Sequence, residues 1–414
     1  MMQFDFTSIL DRRGCDALAV DAIGEDGMFP SPREGFDVIP MWVADMNFPV
    51  APSIQQAIIG RLSHPTFGYF HPRDEYYQVI IDWHRSHNGV QNLQKEHIGY
   101  ENGVLGGVVS ALNVLCSKGD KVLLHSPTYI GFTFSLKDNG YDIVHSPLKQ
   151  DEQGIWRMDF EDMENKLKSN KIHAAIFCSP HNPTGRVWEA WEIAKAMELY
   201  RKYDVWVISD EIWSDLLLND YRHIPTQSIS DDARMRTVAL YAPSKTFNLA
   251  GLVGSYHIIY NPWLRDRCQK ESSTCHYNNM NVLSMHALIG AYGQDGNLWL
   301  RQLRTVLTQN VDFACNYVKE HFAGVTLSRP QGTYMLFLDC RKWCERTGLS
   351  MDELLRAGWD VGVYWQDGRM FHGPYHIRMN LALPLSRVEE AFQRLDTYVF
   401  NCTKKFGGSI NVSK

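Results

Sequence analysis

The chain has 414 residues, 41 Lys and Arg against 47 Asp and Glu, a formal net charge of −6 and 44% hydrophobic residues. This is the composition of an ordinary globular chain and excludes a disordered, collagenous or fibrous one. A chain of this length buries on the order of three quarters of its unfolded surface and needs no staples. Its mild acidity argues against nucleic acid or an anionic membrane as partner, because either selects a basic stripe.

The nine cysteines are odd in number and scattered, with no CxxC. Neither a disulfide framework nor a metal site is expected, and a reducing, cytoplasmic compartment is. Residues 1–13 contain Asp5 and Asp11 and lack the apolar core of a signal peptide. The longest nearly apolar stretch, 103–116, is interrupted by Ser110 and Asn113. It falls short of the roughly 20 residues a membrane-spanning helix needs.

Along the chain, the first 48 residues are irregular, with many Gly and Pro, and cannot make a domain alone. Helices are then predicted at 53–62, 75–86, 104–116 and 189–203. Strands are predicted at 121–125, 142–146, 174–179, 205–209, 237–241 and 255–260. Such alternation predicts an α/β fold with a mostly parallel sheet between helices. Beyond residue 285 the pattern changes to a long helix at 297–321, strands at 333–339 and 376–383, and helices at 352–356 and 387–399. The expected division is a large domain over 49–284, a smaller α+β domain from 1–48 and 285–400, and a frayed tail at 401–414.

In α/β sheets, ligands bind where loops leave the carboxyl ends of parallel strands. One such end runs into Pro180-His181-Asn182-Pro183-Thr184-Gly185. This is a plain turn, or a loop that offers the Asn182 amide to an oxygen anion. The next ends in Asp210, which should be half buried at the strand tip, either as a helix cap or as a carboxylate that needs a cation. A third ends in Ser244-Lys245-Thr246. Lys245 sits between an apolar strand and the apolar run FNLAGLVG, where a lysine loses its proton readily and can form a Schiff base. Gly103-Val104-Leu105-Gly106-Gly107 opens an apolar helix whose first N–H groups can face a phosphate, or simply permits close packing. Tyr129 follows a strand and could lie on a flat ring. Arg378, inside HIRMNLAL, is a structural ion pair or a carboxylate clamp.

Singly these signals are weak, but together they complement pyridoxal phosphate. The cradle takes the phosphate, Tyr129 the ring face, Asn182 the ring hydroxyl, Asp210 the ring nitrogen and Lys245 the aldehyde. A protonated ring nitrogen makes the cofactor an electron sink.

The segments SPHNPTG, SDEI and SKTFNLAG resemble the fold-type I pyridoxal-phosphate enzymes of the class I/II aminotransferase superfamily. Asp11-Arg12-Arg13-Gly14, Pro40-Met41-Trp42-Val43-Ala44-Asp45-Met46 and Phe67-Gly68-Tyr69 resemble its MalY/PatB-type branch of cystathionine β-lyase-like C–S lyases. The resemblance implies that Lys245 carries the cofactor and then moves the α-proton. It implies that Val104, Leu105 and Ser244 hold the phosphate with Tyr69 of a second subunit. Arg378, Asn182 and the Val43–Ala44 backbone would bind the substrate carboxylate, in a homodimer with shared sites.

Two positions depart from the pattern. Trp213 stands where tyrosine or histidine is usual, and Val253 stands where many transaminases place a phosphate-binding arginine. The expected activity is α,β-elimination of cystathionine or another cysteine S-conjugate to pyruvate, ammonia and a thiol. An aminotransferase is the alternative. A cofactor-binding regulator is disfavoured, because no residues remain for a basic helix-turn-helix domain.

Overall fold

The computed structural model describes residues 4–24 and 27–401. The tail expected at 401–414 lies, but for Asn401, outside the described residues. The chain forms two compact units. The first holds Phe4, Pro49–Thr305 and Gln331–Thr333, and the second holds Asp5–Phe48, Val306–Pro330 and the described residues from Tyr334 onward.

The first unit is built on eight strands: β1 (Ile98–Asn102), β2 (Lys121–Ser126), β3 (Asp142–Gln150), β4 (Trp156–Met158), β5 (Ile172–Cys178), β6 (Trp206–Asp210), β7 (Thr237–Tyr241) and β8 (Gly254–Ile258). Their spatial order is β1-β8-β7-β6-β5-β2-β3-β4. From β7 to β3 every pairing is parallel. β8 is antiparallel to both its neighbours and β4 to β3. β1 therefore runs in the same direction as the central strands, and its carboxyl end falls on the same edge.

Side chains alternate between faces along a strand. Val122, Leu124, Ala174, Ile176, Ile208, Val238 and Leu240 share one buried cluster with Val104, Val108 and Leu112 of the helix Val104–Leu115 and with Phe132 and Leu136 of the helix Ile130–Asp138. Leu123, Ala175, Phe177 and Val207, of opposite parity, join a second cluster with Met163 of the helix Phe160–Ser169 and Ile193, Ala196 and Met197 of the helix Ala190–Lys202. A sheet buried on both faces needs such continuously apolar strands, which is why these were legible as strands. β1 was not anticipated. Its Glu101 reads as a surface residue, yet it is buried, because His257 Nδ1 on β8 lies 2.7 Å from the carboxylate.

The second unit has a four-stranded antiparallel sheet in the order Thr326–Leu327, Met335–Asp339, His376–Asn380, Gln366–Asp367. The strand expected to reach 383 ends at Asn380. There the side-chain amide donates to the Val43 carbonyl at 2.8 Å, and the Asn380 side-chain oxygen accepts from the Ala382 N–H at 2.7 Å. Ile39–Pro40 pairs in parallel with Val363–Tyr364, which ties the irregular N-terminal segment to this unit. Phe322 packs on Phe392 at 5.6 Å and on Phe400 at 4.2 Å between ring centroids, closing the core behind the helix Leu385–Leu395.

Candidate active site

The strand ends that lead to Tyr129, Asn182, Asp210 and Lys245 belong to β2, β5, β6 and β7, which are consecutive neighbours in the sheet. The four residues thus leave one edge of the sheet side by side.

Asp210 is the last residue of β6 and pairs in register with Cys178 and Leu240. With a strand on each side it is fully buried, not half buried as the sequence suggested. Its Oδ1 accepts from the Ile212 N–H at 3.1 Å. Burial pushes its carboxyl up to about 7. The Ile212 N–H pulls the other way, the Glu211 charge adds to the rise and the Lys245 charge opposes it. A buried carboxyl in this condition ionises fully only against a cation.

Lys245 lies in the single turn Pro243–Thr246, directly after the fully buried β7. The turn follows the strand at once because Pro243 starts it with φ already fixed. Ser244 precedes the lysine, and its carbonyl accepts from the Leu249 N–H at 3.0 Å.

Asn182 is buried in a loop closed on itself. The His181 N–H donates to the Arg186 carbonyl at 2.8 Å, and the Gly185 N–H donates to the His181 carbonyl at 2.7 Å. The guanidinium of Arg186, itself buried, hydrogen-bonds Glu192, Glu189 and Gln331 and anchors the loop from behind.

The helix Val104–Leu115 starts after Gly103, whose φ of 75° is open to glycine and costly for other residues. The first N–H groups of a helix have no intrahelical partner and favour an anion. Leu105 and Tyr129 meet over Gly131: a Cβ there would lie 2.4 Å from Tyr129 Cε1 and 2.8 Å from Leu105 Cδ1. Glycine at 131 therefore lets the tyrosine ring lie down beside the helix start. Val253, with φ of 62°, has a γ-methyl 3.9 Å from where a Gly103 Cβ would be. An apolar side chain thus stands at the helix start where many transaminases place arginine. Trp213 is fully buried in the turn after β6.

Tyr69 is fully exposed and is not among the strand-end residues. It lines a cavity of about 600 Å³ with Arg61, His64, His71, Arg73 and His286. Burial first, then the charges of Arg73 and Arg61, hold the His286 imidazole below its ordinary pKa.

In the second unit, Arg378 is buried in the strand His376–Asn380. Its Nη2 donates to the Trp42 carbonyl at 3.1 Å and to Gln366, and the guanidinium lies 4.4 Å from the centre of the Phe371 ring. These contacts hold the guanidinium in place within the strand. The segment that bears Ala44 is fixed to the same strand, since the Asn380 N–H donates to the Met41 carbonyl at 2.7 Å. Arg12 grips Asp45 with two parallel bonds, Nη1 to Oδ1 at 2.7 Å and Nη2 to Oδ2 at 2.8 Å. The two N-terminal motifs that could only be set side by side in the sequence are joined by this pair.

Sequence reasoning missed the acids that follow Asp210. Glu211 and Asp215 are both buried, and each collects hydrogen bonds. The available signal was three acids within six residues after an apolar strand, more than a helix cap needs.

The set fits pyridoxal phosphate on the structure's own terms. A buried carboxyl raised toward neutrality matches a protonated ring nitrogen, a lysine within its field matches an aldehyde, and a helix start flanked by a ring and small residues matches a phosphate. The family model for aminotransferase class I and II matches residues 37–395. Cystathionine beta-lyase PatB of Bacillus subtilis strain 168 is 32% identical over 362 residues, which are 87% of this chain and 92% of the relative. Protein MalY of Escherichia coli strain K12 is 29% identical, over 94% of this chain and 96% of its own. The PLP-bound C–S lyase of Staphylococcus hominis superposes with a TM-score of 0.87 at 29% identity, covering 97% of this chain and 100% of its own. On the extent of the family match and this kinship, the chain belongs to the class I and II aminotransferase family.

Proposed function

We propose that the protein is a pyridoxal-phosphate-dependent carbon–sulfur lyase, which cleaves L-cystathionine or a related cysteine S-conjugate to pyruvate, ammonia and a thiol. The observation that carries this is the row of Tyr129, Asn182, Asp210 and Lys245 at four adjacent strand ends, with Asp210 buried and raised, in a chain akin to cystathionine β-lyases. Bound there, the cofactor supplies an aldehyde for the substrate amine and a ring that accepts electrons from the substrate α-carbon.

The chain's residues then divide the work. Lys245 would carry the cofactor, and its Nζ is the group that would move the proton of the substrate α-carbon. Asp210 keeps the ring nitrogen protonated, Asn182 donates to the ring hydroxyl and Tyr129 covers the ring face. The N–H groups of Val104 and Leu105 and the Ser244 hydroxyl hold the phosphate. As the resemblance implies, Arg378, Asn182 and the backbone at Ala44 take the substrate carboxylate. The protein acts as a homodimer in the cytoplasm, with Tyr69 completing the phosphate site of the partner. Support comes from the exposed apolar side chains Ile59, Leu62, Phe67 and Tyr69 within twelve residues of chain, a patch of the kind that marks interfaces. The eight described cysteines are free thiols, and among the described residues no helix is long and apolar enough to cross a membrane.

The test is cystathionine with and without 2-oxoglutarate, following pyruvate, ammonia and glutamate. Sustained pyruvate release without a keto acid is expected. Turnover that stops after one equivalent and resumes only with 2-oxoglutarate replaces the lyase by an aminotransferase.

A further inference from the structure

The segment that ends β6 does more than supply Asp210. Five residues on, Asp215 is buried, and its two carboxylate oxygens are spent on two different elements. Oδ2 accepts from Thr246 Oγ1 at 2.9 Å, and Oδ1 accepts from Trp83 Nε1 at 3.0 Å. Thr246 is the immediate neighbour of Lys245 and is itself fully buried. Trp83 lies on the helix Asp74–Asn88, stacked 4.4 Å from Tyr292, and its ring also meets Phe247 at 5.9 Å. Phe247 follows Thr246 and stacks on Trp299 at 5.6 Å. The lysine's turn is therefore held twice on its far side, by an acid at Thr246 and by an aromatic cluster at Phe247.

The other end of the hold is equally firm. Between Asp210 and Asp215 the chain makes a closed turn, with the Ser214 N–H on the Glu211 carbonyl and the Leu216 N–H on the Trp213 carbonyl, both at 3.0 Å. Beyond it, the Leu216 carbonyl accepts from the Thr333 N–H at 2.7 Å. A six-residue segment thus bears the acid for the ring nitrogen at one end and grips the lysine's turn at the other. Two neutral donors take the carboxylate oxygens, and the charge of Arg304 acts on the group as well. What this side chain supplies is a rigid fork of two polar atoms, one for each element, which an apolar residue that only filled the space would lack.

We propose that Asp215 is a positioning residue, which sets the Lys245 amine against Asp210 by clamping Thr246 to the same segment that carries Asp210. This rests on the lysine–cofactor reading above. Misplacing a reacting amine by about an ångström costs on the order of a hundredfold in rate, so a loosened turn should be felt in rate before binding.

The test uses Thr246→Val, which removes the hydroxyl at constant volume, and Thr246→Ser, which keeps it. In the full-length protein stripped of cofactor, the rate at which added pyridoxal phosphate restores the visible band reports on the lysine without any substrate. Thr246→Val is expected to slow that capture and to lower kcat with cystathionine, each about tenfold or more, with KM within twofold. Thr246→Ser should restore both to within twofold of wild type. A Thr246→Val protein that loses only melting temperature, with capture and kcat within twofold, overturns the proposal. If Thr246→Val does not fold, Asp215→Asn and Asp215→Ala decide. Asparagine can accept from Trp83 and donate to a reversed Thr246 hydroxyl, so it should stay within a few-fold of wild type in capture where alanine does not. Equal loss in both overturns the positioning role. A wild-type protein that never captures the cofactor sinks the lysine–cofactor reading itself and is distinct from either result.

Discussion

Asp210 and Glu211 are adjacent in the chain and both buried, yet they sit in opposite circumstances. Strand parity sends Asp210 to the side of Ile208 and Cys178, and Glu211 to the side of Ser209, whose hydroxyl it accepts at 2.8 Å. Glu211 also accepts from the Tyr241 hydroxyl at 2.5 Å and the Thr226 N–H at 3.1 Å, and lies 2.6 Å from His223 Nε2. Burial alone would raise its pKa. His223 and the hydroxyl donors more than reverse that, and the net direction is down. Asp210 has the Ile212 N–H and is pushed up to about 7. A carboxylate whose needs are met by the protein is scaffold, and one whose needs are left for a ligand is a site. The two faces of one strand tip divide these roles.

If that division is right, the heaviest losses fall on the Asp210 side and leave the fold alone. Lys245→Ala should lower turnover of cystathionine by about a thousandfold or more, the scale of a missing proton-transfer group. Its circular dichroism and melting temperature without cofactor should match wild type. A variant that loses fold and activity together would make Lys245 part of the scaffold and break the comparison.

Asp210→Asn sharpens it, because its two effects have opposite signs. With cofactor, turnover should fall by about a hundredfold, as when one preorganised charge is removed from a reacting centre. Without cofactor, the variant should be the more stable protein. The unfolded acid ionises near 3.8 and the folded one near 7. Between those values the unfolded chain releases a proton that the folded chain keeps, so wild type loses stability as pH rises and has lost about 4 kcal/mol above pH 7. Thermal melts of the stripped proteins should show the advantage of asparagine absent below pH 4, growing to about pH 7 and level beyond. Equal melting curves at pH 8 would show that Asp210 already has its partner within the chain.

On the other face the order reverses. Glu211→Gln should cost about 3 kcal/mol of stability with or without cofactor, since it removes the charge beside His223 and turns an amide NH2 toward His223 and the Tyr241 hydroxyl in a fully buried place. The visible band of whatever protein remains folded should keep its position. Loss of the band at full stability would move Glu211 to the side of the chemistry.

Much of this was legible beforehand. β7 spans 237–241 as expected, because five consecutive apolar or β-branched residues buried on both faces leave no other reading. Asn182, Asp210 and Lys245 could be chosen because each ends an apolar run. The chain shows them in sequence order only, and their adjacency across β5, β6 and β7 is a matter of pairing that no local pattern carries. Arg12 and Asp45 are 33 positions apart, and nothing in either motif names the other. The contrast between Asp210 and Glu211 was invisible for a simpler reason: two neighbouring acids look alike until parity assigns each a face and the loop that brings His223 and Thr226 is in place.

The smallest expected effect tests the Glu211 face one bond at a time. Tyr241→Phe removes the hydroxyl on the carboxylate and leaves the ring, which stacks on Tyr256 at 5.7 Å. A buried hydrogen bond to a charged acceptor is worth about 2 kcal/mol. The loss should depend on pH in a definite sense. Glu211 has a folded pKa below its ordinary value, so the stability it contributes is present above that value and vanishes as pH falls through the folded one. Without the tyrosine hydroxyl the folded pKa rises, and the variant gives up its share at a higher pH than wild type. The gap between the two proteins in denaturant melts should be full at pH 7 and close only after acidification has passed below the ordinary glutamate value of 4.5. Cofactor capture and turnover should not change, because the bond lies on the face that the ligand does not use. A Tyr241→Phe protein with normal stability and a displaced visible band would place the hydroxyl, and Glu211 behind it, in the service of Asp210 after all.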